Sequence, residues 1–243
     1  MVLLCLTIVL HWITTVEGAD KHRTTAKTNK GRKWRIGYYE GGPYINYPAN
    51  LITIAKGLAE LGWMGKPEFA DSTDPADAKV VWSALTKINS DYLQFMPGAF
   101  YSADWDDDRR IGTREAVIAQ LQAHQLDFVI AMGTWAGQDL ANNLHSIPTM
   151  VVSSSDPVKS GIVKSAARSG FDHVHARCAP HRYIWQIQLF HTIVGFKRLG
   201  IVFEDSKAGR SYAALDDIQL VAAQRGFQLV MCEAPWANVS SQV

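Results

Sequence analysis

Two loops rich in Gly, Ser, Thr and Asp carry the clearest chemistry in this sequence. Gly133 and Thr134 follow the apolar run 128–132, and residues 153–156 follow the run 149–152, with a stretch of helix length in between. Glycines let the backbone approach a ligand closely. Hydroxyl groups and the free N–H groups at the start of a helix bind anionic groups such as carboxylates. The spacing therefore predicts a ligand site.

Parallel strands end at the same edge of their sheet, so the loops that follow them come together there. Two other loops have the same position relative to a strand. Residues 40–44 follow the apolar run 34–39, and residues 205–210 follow the run 199–204. We expect the ligand to contact residues from all four loops: Glu40, Gly41, Tyr44, Gly133, Thr134, Trp135, Ser153, Ser154, Asp156, Asp205, Ser206 and Arg210.

The residue types favour an anionic head group. The hydroxyls of Thr134 and Ser154 can donate to a carboxylate, and Arg210 can hold one through paired N–H groups. Ordinary turn and helix-cap chemistry is the alternative, because Ser, Thr, Asp and Gly are also the usual residues there. Asp156, which precedes a proline, fits that alternative better than a ligand contact.

The strand-and-helix units indicate an α/β protein with two parallel-sheet lobes. They repeat from residue 34 to about 165, pause, and restart at 199. The second lobe receives two strands and two helices, which leaves an open sheet edge, so we expect this lobe to be incomplete. The predicted segments are a signal peptide 1–18, a flexible leader 19–33, a first lobe 34–172, a crossover with a helix 173–198, and the start of a second lobe 199–243.

The sequence resembles the periplasmic substrate-binding proteins of ABC transporters, in the group that includes aromatic amino-acid binders. DFVIAMGTWAG from Asp127 and IPTMVVSSSDPVKSGIV from Ile147 carry the resemblance, which extends roughly from residue 35 to 230. It implies a periplasmic-binding-protein-like fold, a small-molecule ligand between the lobes, and an ABC permease as partner. Trp135 departs from the small residue or proline common at its position. With Tyr44, it can cover a planar ligand, or it can fill the mouth of the cleft.

The first eighteen residues predict export. The apolar stretch 2–13 is too short to cross a bilayer and suits the core of a signal peptide cleaved after Gly18. No Lys or Arg precedes that core, which leaves a retained anchor as the alternative. We expect a periplasmic or extracellular protein, in which Cys178 and Cys232 could form a disulfide. The net charge of +1 gives no reason to expect a nucleic-acid partner.

Other constellations are weaker. Two histidines in 173–175, with Cys178 and His181, suggest zinc, but no second cysteine pair or HExxH accompanies them. Residues 104–108 are acidic and lack the Gly and Glu of a calcium loop. We therefore expect no metal and no cofactor. The apolar stretch 182–196 predicts a core helix that packs against a sheet through Trp185, Leu189, Phe190 and Val194.

Two rival functions stay open. The same lobes could serve a signalling receptor as a ligand sensor. An enzyme on a flavodoxin-like sheet would need an acid–base pair in the cleft, for example Glu40 with His175. The sequence has no nucleophile elbow, P-loop or CxxC, so binding without chemistry is the favoured function.

Overall fold

A computed structural model describes residues 25–69 and 77–234 of the chain. The predicted signal peptide and residues 19–24 of the leader lie outside the described residues.

Five parallel strands form the main sheet, in the order β2-β1-β3-β4-β5. Strand order reverses between β1 and β3, and ligands of open α/β sheets bind outside the carboxyl ends of the strands at such a switch point. The strands are β1 Trp34–Glu40, β2 Leu93–Ser102, β3 Phe128–Met132, β4 Thr149–Val152 and β5 Val174–Ala176.

A second, separate sheet consists of two parallel strands, β6 and β7. This arrangement confirms the predicted fold class of two parallel-sheet α/β lobes, while the residue boundaries given to the lobes stay a prediction. The remaining elements are β6 Arg198–Phe203, β7 Gln228–Glu233, α1 Tyr47–Glu60, α2 Ala78–Leu85, α3 Asp107–Gln122, α4 Gly133–Leu140, α5 Arg182–Val194, α6 Lys207–Tyr212 and α7 Leu215–Arg225.

The main sheet is covered on both faces, as parallel sheets require. Side chains alternate along a strand, so Tyr38 and Tyr39 of β1 point to opposite faces, and both are fully buried. Tyr38 belongs to the cluster that contains Leu51 of α1 and Trp82 of α2. Tyr39 belongs to the cluster that contains Val117 and the rest of the α3 core. The sheet therefore gives its carboxyl edge a rigid base.

Several predicted boundaries were wrong in the same region. The sequence predicts a strand over 92–96 and a loop over 97–110, but β2 continues to Ser102, and its pairing with β1 shifts register along the way. The sequence also predicts Thr113 as the cap of the next helix, but α3 begins at Asp107 and is capped by the Asp106 carboxylate, which accepts from the Arg109 N–H. Acidic residues at a helix start are stabilised by the helix dipole, which explains the run of aspartates.

The second lobe also differs from expectation. The sequence predicts a loop over 205–211 and one helix over 212–225. The structure instead has the short helix α6 within that loop, and α7 begins at Leu215, because Ala214 has a left-handed φ of +50° between the two helices. α5 forms, but Trp185 and Leu189 are 65% and 61% exposed, so the prediction that they pack against a sheet was wrong. α5 instead turns Ile184 and Ile187 toward α7 and the second sheet.

Cys178 and Cys232 are both free thiols, the first half-buried and the second exposed. Among the helices within 25–69 and 77–234, none has the length and hydropathy of a membrane span.

The buried histidine His145 makes the stability of the first lobe depend on pH. Burial, and after it the neighbouring His173, lowers the pKa of His145 below its ordinary value of 6.5. The two imidazole rings lie 4.6 Å apart, edge to face. Since the unfolded chain binds a proton more readily, the contribution of His145 is complete above about pH 6.5 and is lost as pH falls through that value.

We predict that the free energy of unfolding of His145→Gln falls less between pH 7.5 and pH 5.5 than that of the wild type. His175→Gln, at an exposed position in β5, is the control and should keep the wild-type dependence. Urea unfolding followed by circular dichroism measures both. An equal fall in the unfolding free energy of the wild type and of His145→Gln between pH 7.5 and pH 5.5 would show that His145 does not contribute to the pH dependence.

Candidate functional site

The site begins at the junction of β3 and α4. Gly133 has a left-handed φ of +88°, and a Cβ built there would lie 1.9 Å from the hydroxyl oxygen of Tyr47. Only glycine satisfies both conditions, since it has no Cβ and tolerates positive φ. Tyr47 itself is 4% exposed. The start of α1 therefore packs directly on the switch point between β1 and β3.

Two hydroxyls meet beyond that junction. The side-chain oxygens of Thr134 and Ser154 lie 3.3 Å apart, and both residues are buried. The backbone N–H of Ser155 donates to the Thr134 oxygen at 3.4 Å. No side chain caps the start of α4 at Met132, so the first N–H groups of this helix face the same region. The structure thus brings together the two hydroxyls that the sequence predicted, at a helix N-terminus.

Ser153 and Asp156 hold the β4 loop in shape. Ser153 has a left-handed φ of +59°, and its hydroxyl accepts from the Asn50 amide at 3.2 Å. The Asp156 carboxylate accepts from the N–H groups of Val158 and Lys159, both at 3.0 Å. Asp156 therefore stabilises the turn, as expected from the alternative in which it is a turn or cap residue and not a ligand contact.

Glu40 points into the protein. It is 1% exposed, and its carboxylate accepts from the Tyr38 hydroxyl at 2.6 Å. Burial raises the pKa of Glu40, while hydrogen bonds from Tyr38 and Ser102 oppose that rise. β1, which ends at Glu40, is separated from β5, which contains His175, by two intervening strands. The acid–base pair that an enzyme would need is not formed by these two residues.

Trp135 lies in the first turn of α4, and it is 8% exposed. The Arg110 guanidinium lies 4.4 Å from the centre of its ring. Trp105 contacts it edge to face, with ring centres 5.4 Å apart. Gly41 lies against its base, because a Cβ on Gly41 would be 2.9 Å from the Trp135 Cβ. Tyr44, by contrast, is half exposed and packs on Tyr47.

A buried ion pair supports Trp135 from behind. Arg110 donates to both carboxylate oxygens of Asp139 at 2.8–3.2 Å, and Asp139 also accepts from the Tyr39 hydroxyl at 2.6 Å. Only 5% of the Asp139 side chain is exposed. Burial lowers the pKa of Arg110 and its bonds to Asp139 raise it, and the net direction is upward. Arg110 is therefore a fixed cation.

The second lobe offers a different contact from the one predicted. Asp205 and Arg210 form an ion pair at 2.7 Å with each other, and Ser206 caps α6 by accepting from the Gly209 N–H. Tyr212, at the end of α6, reaches the first lobe, where it forms a side-chain hydrogen bond with Trp135. Burial raises the pKa of Tyr212, and nearby Arg110 opposes this.

Polar contacts hold the lobes together next to the site. The Lys159 ammonium lies 3.0 Å from Asp217 and 3.8 Å from Asp216, at the start of α7. The hydroxyls of Ser160 and Ser211 lie 3.5 Å apart. These contacts join the segment that follows β4 to α6 and α7. The hydroxyl pair, the Trp135 cluster and these contacts are together called the cleft.

Sequence reasoning missed four residues of the cleft, Tyr47, Trp105, Arg110 and Tyr212. They lie in segments that follow β1, β2 and β6, and only Trp105 and Arg110 follow the same strand, so no local spacing connects the set. Trp105, within the acidic run 104–108, was the one available signal.

The chain matches the family model of ABC transporter substrate-binding proteins over residues 108–241, more than half of its length. It belongs to this family. No protein with a curated description is significantly similar in sequence.

Solved structures of substrate-binding proteins share the fold. A conserved domain protein from Vibrio cholerae has a TM-score of 0.60 at 16% identity, covering 86% of this chain and 60% of the other. A domain from Streptococcus pneumoniae in complex with L-Trp has a TM-score of 0.59 at 18% identity, covering 87% of this chain and 63% of the other. The chain thus spans about 60% of the length of these two proteins.

We predict that Gly133→Ala loses at least about 1–2 kcal/mol of unfolding free energy, because alanine is strained at this φ and its Cβ meets Tyr47. Gly57→Ala is the matched control. Gly57 lies within α1, a Cβ there meets nothing within 4 Å, and alanine should add about 0.5–1 kcal/mol. Chemical denaturation measures both. A Gly133→Ala variant as stable as the wild type would contradict the described junction.

Proposed function

We propose that this chain is the extracytoplasmic solute-binding component of an ABC importer, and that it captures an amino acid or small carboxylate between its lobes. The membership of the family supports the importer role, with a membrane permease as partner and a periplasmic or extracellular location. The buried hydroxyl pair at the α4 N-terminus is the observation that carries the choice of ligand.

A carboxylate suits this position for electrostatic reasons. The helix dipole and unpaired N–H groups favour an anion at the start of α4, and the hydroxyls of Thr134 and Ser154 can both rotate to donate. The ligand-bound relatives agree with this chemistry. The Streptococcus pneumoniae domain holds L-Trp, and a solute-binding protein from R. palustris, with a TM-score of 0.53 at 12% identity, holds 4-hydroxybenzoate. Both ligands carry a carboxylate.

The proposed ligand-binding set keeps the residues predicted from the sequence and divides them by role. Thr134, Ser154 and the backbone of Gly133 hold the head group. Gly41 and Trp135 form the wall beside it. The other residues of the predicted set would contact the ligand only after a rearrangement, because their side chains have partners within the protein or are exposed. These residues are Glu40, Tyr44, Ser153, Asp156, Asp205, Ser206 and Arg210.

The first test is a thermal-shift screen of the chain against amino acids and small carboxylic acids. A stabilising solute then serves as the probe in calorimetry. We predict that Thr134→Val and Ser154→Ala each weaken its binding tenfold to a hundredfold, about 1.5–3 kcal/mol, because a hydrogen bond to a charged group is lost.

Two exposed hydroxyls give matched controls. Thr53 and Ser83 each donate to a carbonyl one turn earlier in a helix, so Thr53→Val and Ser83→Ala should bind like the wild type. Unfolding curves of all four variants establish that the fold is intact. If Thr134→Val and Ser154→Ala bind as tightly as the controls, the ligand lies elsewhere.

A further inference from the structure

The side chain of Trp135 is surrounded on all sides. Arg110 covers its ring, Trp105 meets its edge, Gly41 touches its base, and its indole N–H lies in a hydrogen bond with Tyr212. With 8% of the residue exposed, the indole fills space between the lobes. It does not present an open face on which a planar ligand could stack.

The indole is also held in place. Arg110 is fixed by bidentate hydrogen bonds to the buried Asp139 carboxylate, which also accepts a hydrogen bond from the Tyr39 hydroxyl. A planar guanidinium held in this way is a rigid support for an aromatic ring. Moving Trp135 would break its contacts with Arg110 and Tyr212 together.

Trp135 meets Tyr212 of the second lobe, so its indole occupies space between the lobes, where the proposed function places the body of the ligand. We propose that Trp135, positioned by Arg110, sets an upper size limit on the ligand. The solute is then an amino acid with a short side chain or a small carboxylic acid, in contrast to the L-Trp bound by the Streptococcus pneumoniae relative. This inference rests on the proposed function and narrows it.

The binding experiment compares L-alanine and L-tryptophan as probes. Calorimetry on the wild type should show L-alanine bound more tightly by about tenfold or more, since a filled pocket rejects a larger group. Trp135→Ala should reduce that ratio by about tenfold or more, through stronger binding of L-tryptophan. Equal affinity of the wild type for both probes, or an unchanged ratio in Trp135→Ala, would overturn the proposal.

Adjacent arginines on α3 supply the matched pair for the positioning role. Arg110→Lys keeps the positive charge but loses the planar guanidinium that donates paired hydrogen bonds to Asp139. Like Trp135→Ala, it should lower the ratio of L-alanine affinity to L-tryptophan affinity. Arg109→Lys is the control, because Arg109 is largely exposed and pairs with exposed Asp104. If Arg110→Lys and Arg109→Lys give the same ratio as the wild type, Arg110 does not position Trp135.

A measurement without ligand separates this proposal from the proposed function. Ser154→Cys, with Cys5, Cys178 and Cys232 replaced by serine, is labelled with methyl and benzyl methanethiosulfonate. With Trp135 present, the methyl reagent should react much faster, and Trp135→Ala should shrink that difference by about tenfold or more. A separate outcome is that neither amino acid binds while Trp135→Ala still reduces the difference between the methyl and benzyl labelling rates. In that case the size limit set by Trp135 holds, and the proposal that the ligand is an amino acid or small carboxylate fails. An unchanged labelling difference refutes the size limit whichever solute binds.

Discussion

At the end of β3 the backbone turns through Gly133 with a φ of +88°, and the Tyr47 hydroxyl fills the space that a Cβ would need. This close approach joins the start of α1 to the start of α4 at the point where strand order reverses. It also directs Thr134 toward Ser154 and Trp135 toward the second lobe. One glycine thus allows a polar head-group site and an aromatic wall to lie on consecutive residues.

The aromatic part of the cleft depends on the Arg110–Asp139 pair. A buried ion pair is costly to form and more costly to break, because removal of one partner leaves an unpaired charge. Here the Tyr39 hydroxyl and the Trp135 ring complete the surroundings of the two charges. The pair therefore makes Trp135 a rigid element that meets Tyr212.

The sequence predicted the sheet and the loops at its carboxyl edge well, because both leave local signals. Short apolar runs that end in Gly and Ser mark strands and their loops, and Thr134 and Ser154 were found in this way. Long-range pairs leave no such signal. Nothing near Arg110 in the chain indicates Asp139, and nothing near Trp135 indicates Tyr212. Glu40 was placed in the cleft for a different reason. Its position at the end of β1 suggested the loop, but it is the last residue of the strand and shares a face with Tyr38, whose hydroxyl donates to its carboxylate in the interior.

The central claim is that a carboxylate binds at the start of α4 between the two lobes. A crystal structure of the protein with the solute that most raises its melting temperature tests this directly. The account predicts the carboxylate oxygens within hydrogen-bond distance of the Thr134 and Ser154 hydroxyls, with the rest of the solute against Trp135. A solute bound away from the carboxyl edge of β3 and β4, or one whose carboxylate faces solvent, would contradict it.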